Sequence, residues 1–340
     1  MNEFAAAPSL NTQPAPVPPS TTHRIFFGQD GLRAGWSLLI AVALFSILFP
    51  AANTLAHKTH LIPPHALEGS PSPIPVLISE GLAFLVTVLV SWIMSKIERR
   101  PISVYGLGGR HKLSRFLLGA VWGVLFLSLL VLLLVKTRLL VIDGRLLFGS
   151  DVLLYALAWI PGFLAISLFE EYFFRGYLQY TLSRGFAGLY RSIFKTNNSR
   201  ALGFWSAAVL VSFGFGAVHG SNPGESPIGL ICAAFASLVF CLSLWRTGSL
   251  WWAIGLHTTW DWAQSFLYGV ADSGATFRFH LLATHPVGRP LLSGGATGPE
   301  GSLFVLPILF LLTLVIVFTL PSTGQPSNEP DEVLPLEAQV

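Results

Sequence analysis

FLLGAVWGVLFLSLLVLLLV, running from Phe116 to Val135, holds twenty residues and no ionisable side chain. At about 1.5 Å of rise per residue such a helix is about 30 Å long, which matches the hydrocarbon core of a bilayer. The stretch from Leu303 to Leu320 is equally free of charge. Working outward from these two, eight windows read as apolar helices: 34–55, 75–95, 115–136, 151–172, 201–219, 227–245, 249–268 and 303–321. No segment alternates with the period of two that a membrane β-barrel requires, and no internal repeat is present. The expected fold is therefore all-α, a polytopic transmembrane bundle of about eight spanning helices.

Composition agrees. Of 340 residues, 52% are hydrophobic and 11% charged, and the mean hydropathy is +0.63. Soluble domains carry about 25% charged residues, so the shortfall fits an outer surface that faces lipid. A net charge of +3 gives no electrostatic footprint for nucleic acid. Residues 1–24, rich in Pro, Ala, Ser and Thr, read as a disordered cytoplasmic tail, without the basic and apolar regions of a signal peptide. Residues 25–321 form the transmembrane domain, and 322–340, with Glu329, Asp331, Glu332 and Glu337, read as a disordered acidic tail. Segments 56–74, 183–200 and 269–302 read as loops. With the N-terminus inside, 14 of the 20 Lys and Arg residues fall on the cytoplasmic side, as the positive-inside bias asks. Trp251 and Trp252 read as an interfacial belt. Cys232 and Cys241, about 13 Å apart on one helix, are too distant to pair and read as packing residues.

Against this apolar background a few ionisable residues stand out, because each is costly inside a membrane and tends to mark function. In the fourth window, Glu170 and Glu171 end a long apolar run. Adjacent helical residues point about 100° apart, so the two carboxylates do not share a face. Glu171 and Arg175 lie four apart and can pair, which leaves Glu170 free to accept a proton. The bland alternative is a helix that ends among headgroups. In Phe213-Gly-Phe-Gly-Ala-Val-His219-Gly220 a histidine closes an otherwise uncharged helix, and Gly214, Gly216 and Gly220 permit close helix approach; an interfacial histidine is the alternative. His257 and Asp261 share one face of the seventh window, either facing a cavity or holding helices together. Glu80, in the second window, has no matching partners and reads as a packing or interfacial residue.

Glu-Glu-x-x-x-Arg at 170–175, Phe-x-x-x-His at 215–219 and His-x-x-x-Asp at 257–261, in that order on separate apolar helices, resemble the CAAX protease and bacteriocin-processing family. That family of intramembrane proteases includes the Ras-converting CAAX endopeptidases. The resemblance covers about residues 150–268. It implies a peptidase in which Glu170, with His219, activates a water, His257 and Asp261 bind the developing oxyanion, and Glu171 with Arg175 supports them. The family often has Asn where Asp261 stands; an ionised Asp cannot donate a hydrogen bond, so Asp261 either is protonated, orients His257 or is a ligand. No cofactor is favoured. If a metal is present, zinc on Glu170, His219 and His257 is the expected set, although His-Glu-x-x-His is absent. The implied partners are a hydrophobic or lipidated peptide substrate and the lipid bilayer, with no nucleic acid, and the expected location is the cell membrane, multi-pass. Two other functions fit buried Glu, His and Asp: a proton-coupled transporter and a non-catalytic scaffold or bacteriocin-immunity factor.

The windows also contain a conflict. Eight simple spans place Glu170 toward the cytoplasm and His219 at the outer end of its helix, whereas catalytic partners must meet directly or through water. Either a window runs deeper than drawn or 171–194 is not a simple cytosolic loop.

Overall fold

In the computed structural model, residues 25–28 and 31–322 are described. The two expected tails, apart from Ser322, lie outside them. Every apolar window is helical. α1 (Ala34–Lys58), α2 (Pro73–Ile97) and α3 (Lys112–Lys136) precede α4 (Ser150–Glu170), which passes without a break into a π-helical segment, Glu171–Leu178, and then α5 (Gln179–Phe194). α6 (Ser199–Val218), α7 (Pro227–Thr247), α8 (Trp251–Trp262) and α9 (Val305–Thr319) complete the bundle. Among the described residues, six helical runs are long and apolar enough to cross a membrane. The seventh and eighth windows give shorter helices: α8 has 12 residues before a π-helical end at Ala263–Leu267, and α9 has 15.

The conflict over depth is resolved by the fourth span. Ser150–Phe194 is one helical run of 45 residues, so Glu170 lies near its middle rather than at a cytoplasmic end. The segment 183–200, expected to be a loop, is helical as far as Phe194. The fourth window ended too early because Gln179, Thr181 and Ser183, although polar, are buried and face the bundle. The 269–302 segment also has more order than its glycines suggest. Its strand β2 (Leu282–Pro286) pairs antiparallel with β1 (Leu140–Arg145), with Leu140 opposite Pro286.

α8, which carries His257 and Asp261, is held in place by backbone contact with α3. A Cβ on Gly119 would fall on the carbonyl oxygen of Trp252, one on Gly123 would fall on Leu256 and Thr259, and one on Gly255 would meet the carbonyl of Phe116. Small residues four apart on a membrane helix allow this approach, and Thr259 Oγ1 donates to the Ala120 carbonyl at 2.7 Å across it. On its other side α8 meets α4, where the Ser167 and Thr258 hydroxyls are 2.5 Å apart. Trp252 is fully buried in this packing, so it does not belong to an interfacial belt. Of the three glycines noted on α6, Gly216 makes a close approach, to the Leu230 carbonyl, whereas nothing lies within 4 Å of a Cβ at Gly214.

Gly123→Val is therefore expected to lower the stability of the detergent-solubilised protein by about 1–3 kcal/mol through overpacking. Gly214→Ala is expected to change it by no more than about 0.5 kcal/mol. Thermal unfolding of the two variants beside the parent checks this; equal midpoints would contradict the α3–α8 contact.

Candidate active site

The π-helical segment places the first motif. π turns inside α-helices recur at functional sites, and here the turn begins at Glu171 itself. Glu171 Oε1 lies 3.2 Å from Arg175 Nη1, both side chains wholly buried. The i, i+4 pairing expected from spacing is present. The Arg175 guanidinium also stacks on Phe215, 3.9 Å from the ring centroid, with Phe240 at 5.3 Å. Burial of an arginine is tolerable only with such compensation.

The same Glu171 oxygen accepts a hydrogen bond from His257 Nδ1 at 3.0 Å. Glu170 approaches the other side of that imidazole, Oε2 to Nε2 at 3.7 Å, and Asp261 Oδ2 stands 3.5 Å from the same Nε2. The two adjacent carboxylates do diverge, as helical geometry requires, yet they bracket one ring instead of separating into one used and one distant group. The expectation that Glu170 points away from the paired charge is corrected to this extent. His257 and Asp261 are one turn apart on α8 and face each other.

His219 closes α6. Its Nδ1 lies 2.7 Å from the Phe215 carbonyl; a carbonyl can only accept, so Nδ1 carries the proton and Nε2 is the nitrogen left for another partner. The Phe215 ring lies 4.6 Å from the His219 ring and 6.5 Å from that of His257, centroid to centroid. It thus packs against the Arg175 guanidinium and lies beside both imidazoles.

Glu170, His219, His257 and Asp261 all line one cavity of about 190 Å³, enclosed by α2, α4, α6, α7, α8 and α9. Glu171 and Arg175 stand behind it. Its remaining walls are mostly apolar, including Ile166, Val239, Phe240, Leu256 and Leu309. Its polar lining holds residues that sequence reasoning missed. Glu300 accepts from Trp260 Nε1 at 2.7 Å and from the Ser273 hydroxyl at 2.8 Å, and Asn222 Nδ2 donates to the Ser273 carbonyl at 2.7 Å. Ser273 and Gly274 both have positive φ, 42° and 81°, in the tight turn from Asp272 to Ala275, which fits a two-residue hairpin loop. Asp272-Ser273-Gly274 is the available sequence sign of that turn, but nothing in it announces the cavity. Burial pushes the Asp272 carboxyl above its ordinary range. Glu80, expected at a helix contact or interface, is also on the cavity wall.

Both His257 nitrogens face carboxylates, and His219 Nδ1 is committed to its own helix. Among the described residues no group of three or more His, Cys, Asp or Glu is arranged to hold an ion. The cysteines are buried and unpaired; Cys241 does more than pack, since its thiol donates to Gln179 Oε1 at 3.1 Å.

The family model described as type II CAAX prenyl endopeptidase Rce1-like matches residues 152–263. Over this segment the chain is similar to the Rce1-like CAAX-protease domain. The segment contains all six motif residues, from Glu170 to Asp261, and it omits α1–α3 and α9. No curated protein and no solved structure matches the chain.

Removing Arg175 leaves Glu171 buried without its cation. Arg175→Met is expected to cost about 3–5 kcal/mol, and the double variant with Glu171→Gln is expected to recover part of that loss. Unfolding midpoints of the single and double variants measure the coupling, and strictly additive effects would contradict it.

Proposed function

We propose that the protein is an intramembrane endopeptidase in which Glu170, assisted by His219, activates a water that attacks a peptide carbonyl. The observation that carries this reading is the single cavity that brings Glu170, His219, His257 and Asp261 together from three helices. Residues 49 to 91 positions apart along the chain (170 to 219, 170 to 261) meet there within an apolar bundle, and an intramembrane ionisable group is by default a functional one.

Each residue receives a task from its surroundings. A water held between Glu170 and His219 Nε2 loses a proton to Glu170 as its oxygen bonds to the carbonyl carbon. Glu171, fixed by Arg175, takes the Nδ1–H of His257 and so aims Nε2 into the cavity. In the imidazolium form Nε2–H donates to the developing oxyanion, an interaction worth about 3 kcal/mol when preorganised. Asp261, one turn away, orients that ring, a task for which an ionised carboxylate suffices, whereas donating to the oxyanion directly would require a proton. The apolar walls suit a hydrophobic or lipidated peptide segment, and the long apolar helices suit a multi-pass protein of the cell membrane.

Glu170→Gln and His219→Ala are each expected to lower kcat by at least about 10²-fold while the variants insert and purify like the parent. The measurement is cleavage of a fluorogenic lipidated peptide in proteoliposomes. Parental rates in both variants would remove these residues from the mechanism, and a cellular phenotype that survives Glu170→Gln would favour a non-catalytic scaffold.

We further propose that the reaction needs no metal, a reading supported by the lack, among the described residues, of three or more His, Cys, Asp or Glu arranged to hold an ion. Exhaustive chelation is expected to leave kcat within about twofold of the untreated protein, whereas a catalytic metal would be worth several kcal/mol. Loss of activity that zinc restores would overturn this.

A further inference from the structure

α2 contains one acidic residue, Glu80, the eighth residue of the helix and inside the apolar run. α2 packs along α4, and Glu80 lines the same cavity as Ile166 and Glu170. Glu80 forms no hydrogen bond or ion pair among the described residues, and its oxygens are not sealed off from the cavity. It lies outside residues 152–263, so the family match assigns it nothing. An unpaired carboxylate at membrane depth is expensive, and packing alone gives no reason to keep it.

Peptide hydrolysis needs a proton at two places. One leaves the attacking water; one must reach the amide nitrogen as the C–N bond breaks. Glu170 is held beside His257 Nε2, on the side where the water is activated. A second carboxylate from the adjoining helix removes the need for Glu170 to swing across the cavity.

We propose that Glu80 is the catalytic acid of this site, carrying the proton from Glu170 to the leaving nitrogen; the proposal rests on the endopeptidase reading above. The water O–H bond breaks and its proton goes to Glu170 as the oxygen bonds to the carbonyl carbon. That proton passes to Glu80. The C–N bond then breaks, the nitrogen keeps the electron pair, and it takes the proton from Glu80. Both carboxylates are restored, and the products are one carboxylic acid and one amine.

The test exploits the leaving group. A nitrogen needs protonation to depart, whereas a 4-nitrophenolate does not. In proteoliposomes, an S-alkylated fluorogenic peptide cleaved by the wild-type protein is compared with its 4-nitrophenyl ester counterpart. Glu80→Gln is expected to lower kcat on the amide by about 10²-fold, leave its KM within about threefold and leave ester cleavage within about threefold of wild type. Glu80→Met, which removes an intramembrane carboxylate and so does not burden insertion, is expected to show the same split. Equal losses on amide and ester in both variants would make Glu80 structural, and no loss on either would make it a bystander; each overturns the proposal. Glu170→Gln separates the two levels of inference. If it fails on both substrates while Glu80→Gln behaves as wild type, only the acid assignment falls. If Glu170→Gln cleaves both like wild type, the endopeptidase site itself is wrong.

Discussion

The bond between His257 and the buried Glu171–Arg175 pair joins the chemistry to the scaffold. An ion pair without solvent is not in itself a source of stability, because desolvation offsets most of the attraction. What it provides here is direction. Arg175 is stacked on Phe215 and Phe240, Glu171 is fixed by Arg175, and the imidazole is fixed by Glu171. An angle set by rigid aromatic packing in α6 and α7 is thereby passed to a ring on α8. Without this chain His257 would be free to rotate, and Glu170 and Asp261 would have no common nitrogen to face.

Two features of the backbone make that chain geometrically available. The run from Ser150 to Phe194 does not stop at the acidic pair, so Glu170 and Glu171 lie within the bundle rather than at its rim. α8 is short, and it reaches the site because Gly119, Gly123 and Gly255 bring it into backbone contact with α3. In lipid there is little hydrophobic gain from associating helices, so close packing at small residues has to supply the attraction. The three motif helices therefore depend on α2 and α3, which the Rce1-like segment does not include, for the depth and rotation of their side chains.

The helical class, the ionisable residues Glu170, His219, His257 and Asp261 that line the cavity and the Glu171–Arg175 spacing were legible in the sequence, since each follows from a local rule: hydropathy over about 20 residues or the i, i+4 neighbour relation. What escaped was non-local. Hydropathy ended the fourth span near residue 172 because Gln179, Thr181 and Ser183 are polar, and only packing shows that they face inward. Trp252 looked interfacial because aromatic residues commonly are, but a neighbouring helix covers it. Asn222, Ser273 and Glu300 reach the cavity from connecting segments whose path no periodicity describes. Glu80 was discounted for want of a partner along the chain, yet it lines the same cavity as Glu170, 90 positions away (170 − 80).

The arrangement also explains why two carboxylates stand next to each other. One residue cannot be both tightly paired and chemically available: a carboxylate neutralised by a buried guanidinium is a poor proton acceptor, and an available one is a poor anchor. At consecutive helical positions the side chains diverge by about 100°, enough for Glu171 to turn toward Arg175 and the Nδ1 side of His257 while Glu170 turns toward the cavity and the Nε2 side. The imidazole between them is held by one acid and presented to the other. In the proposed mechanism, adjacent acids on one helix thus divide holding from reacting. A single acid, or two acids four residues apart on one face, would not provide this division.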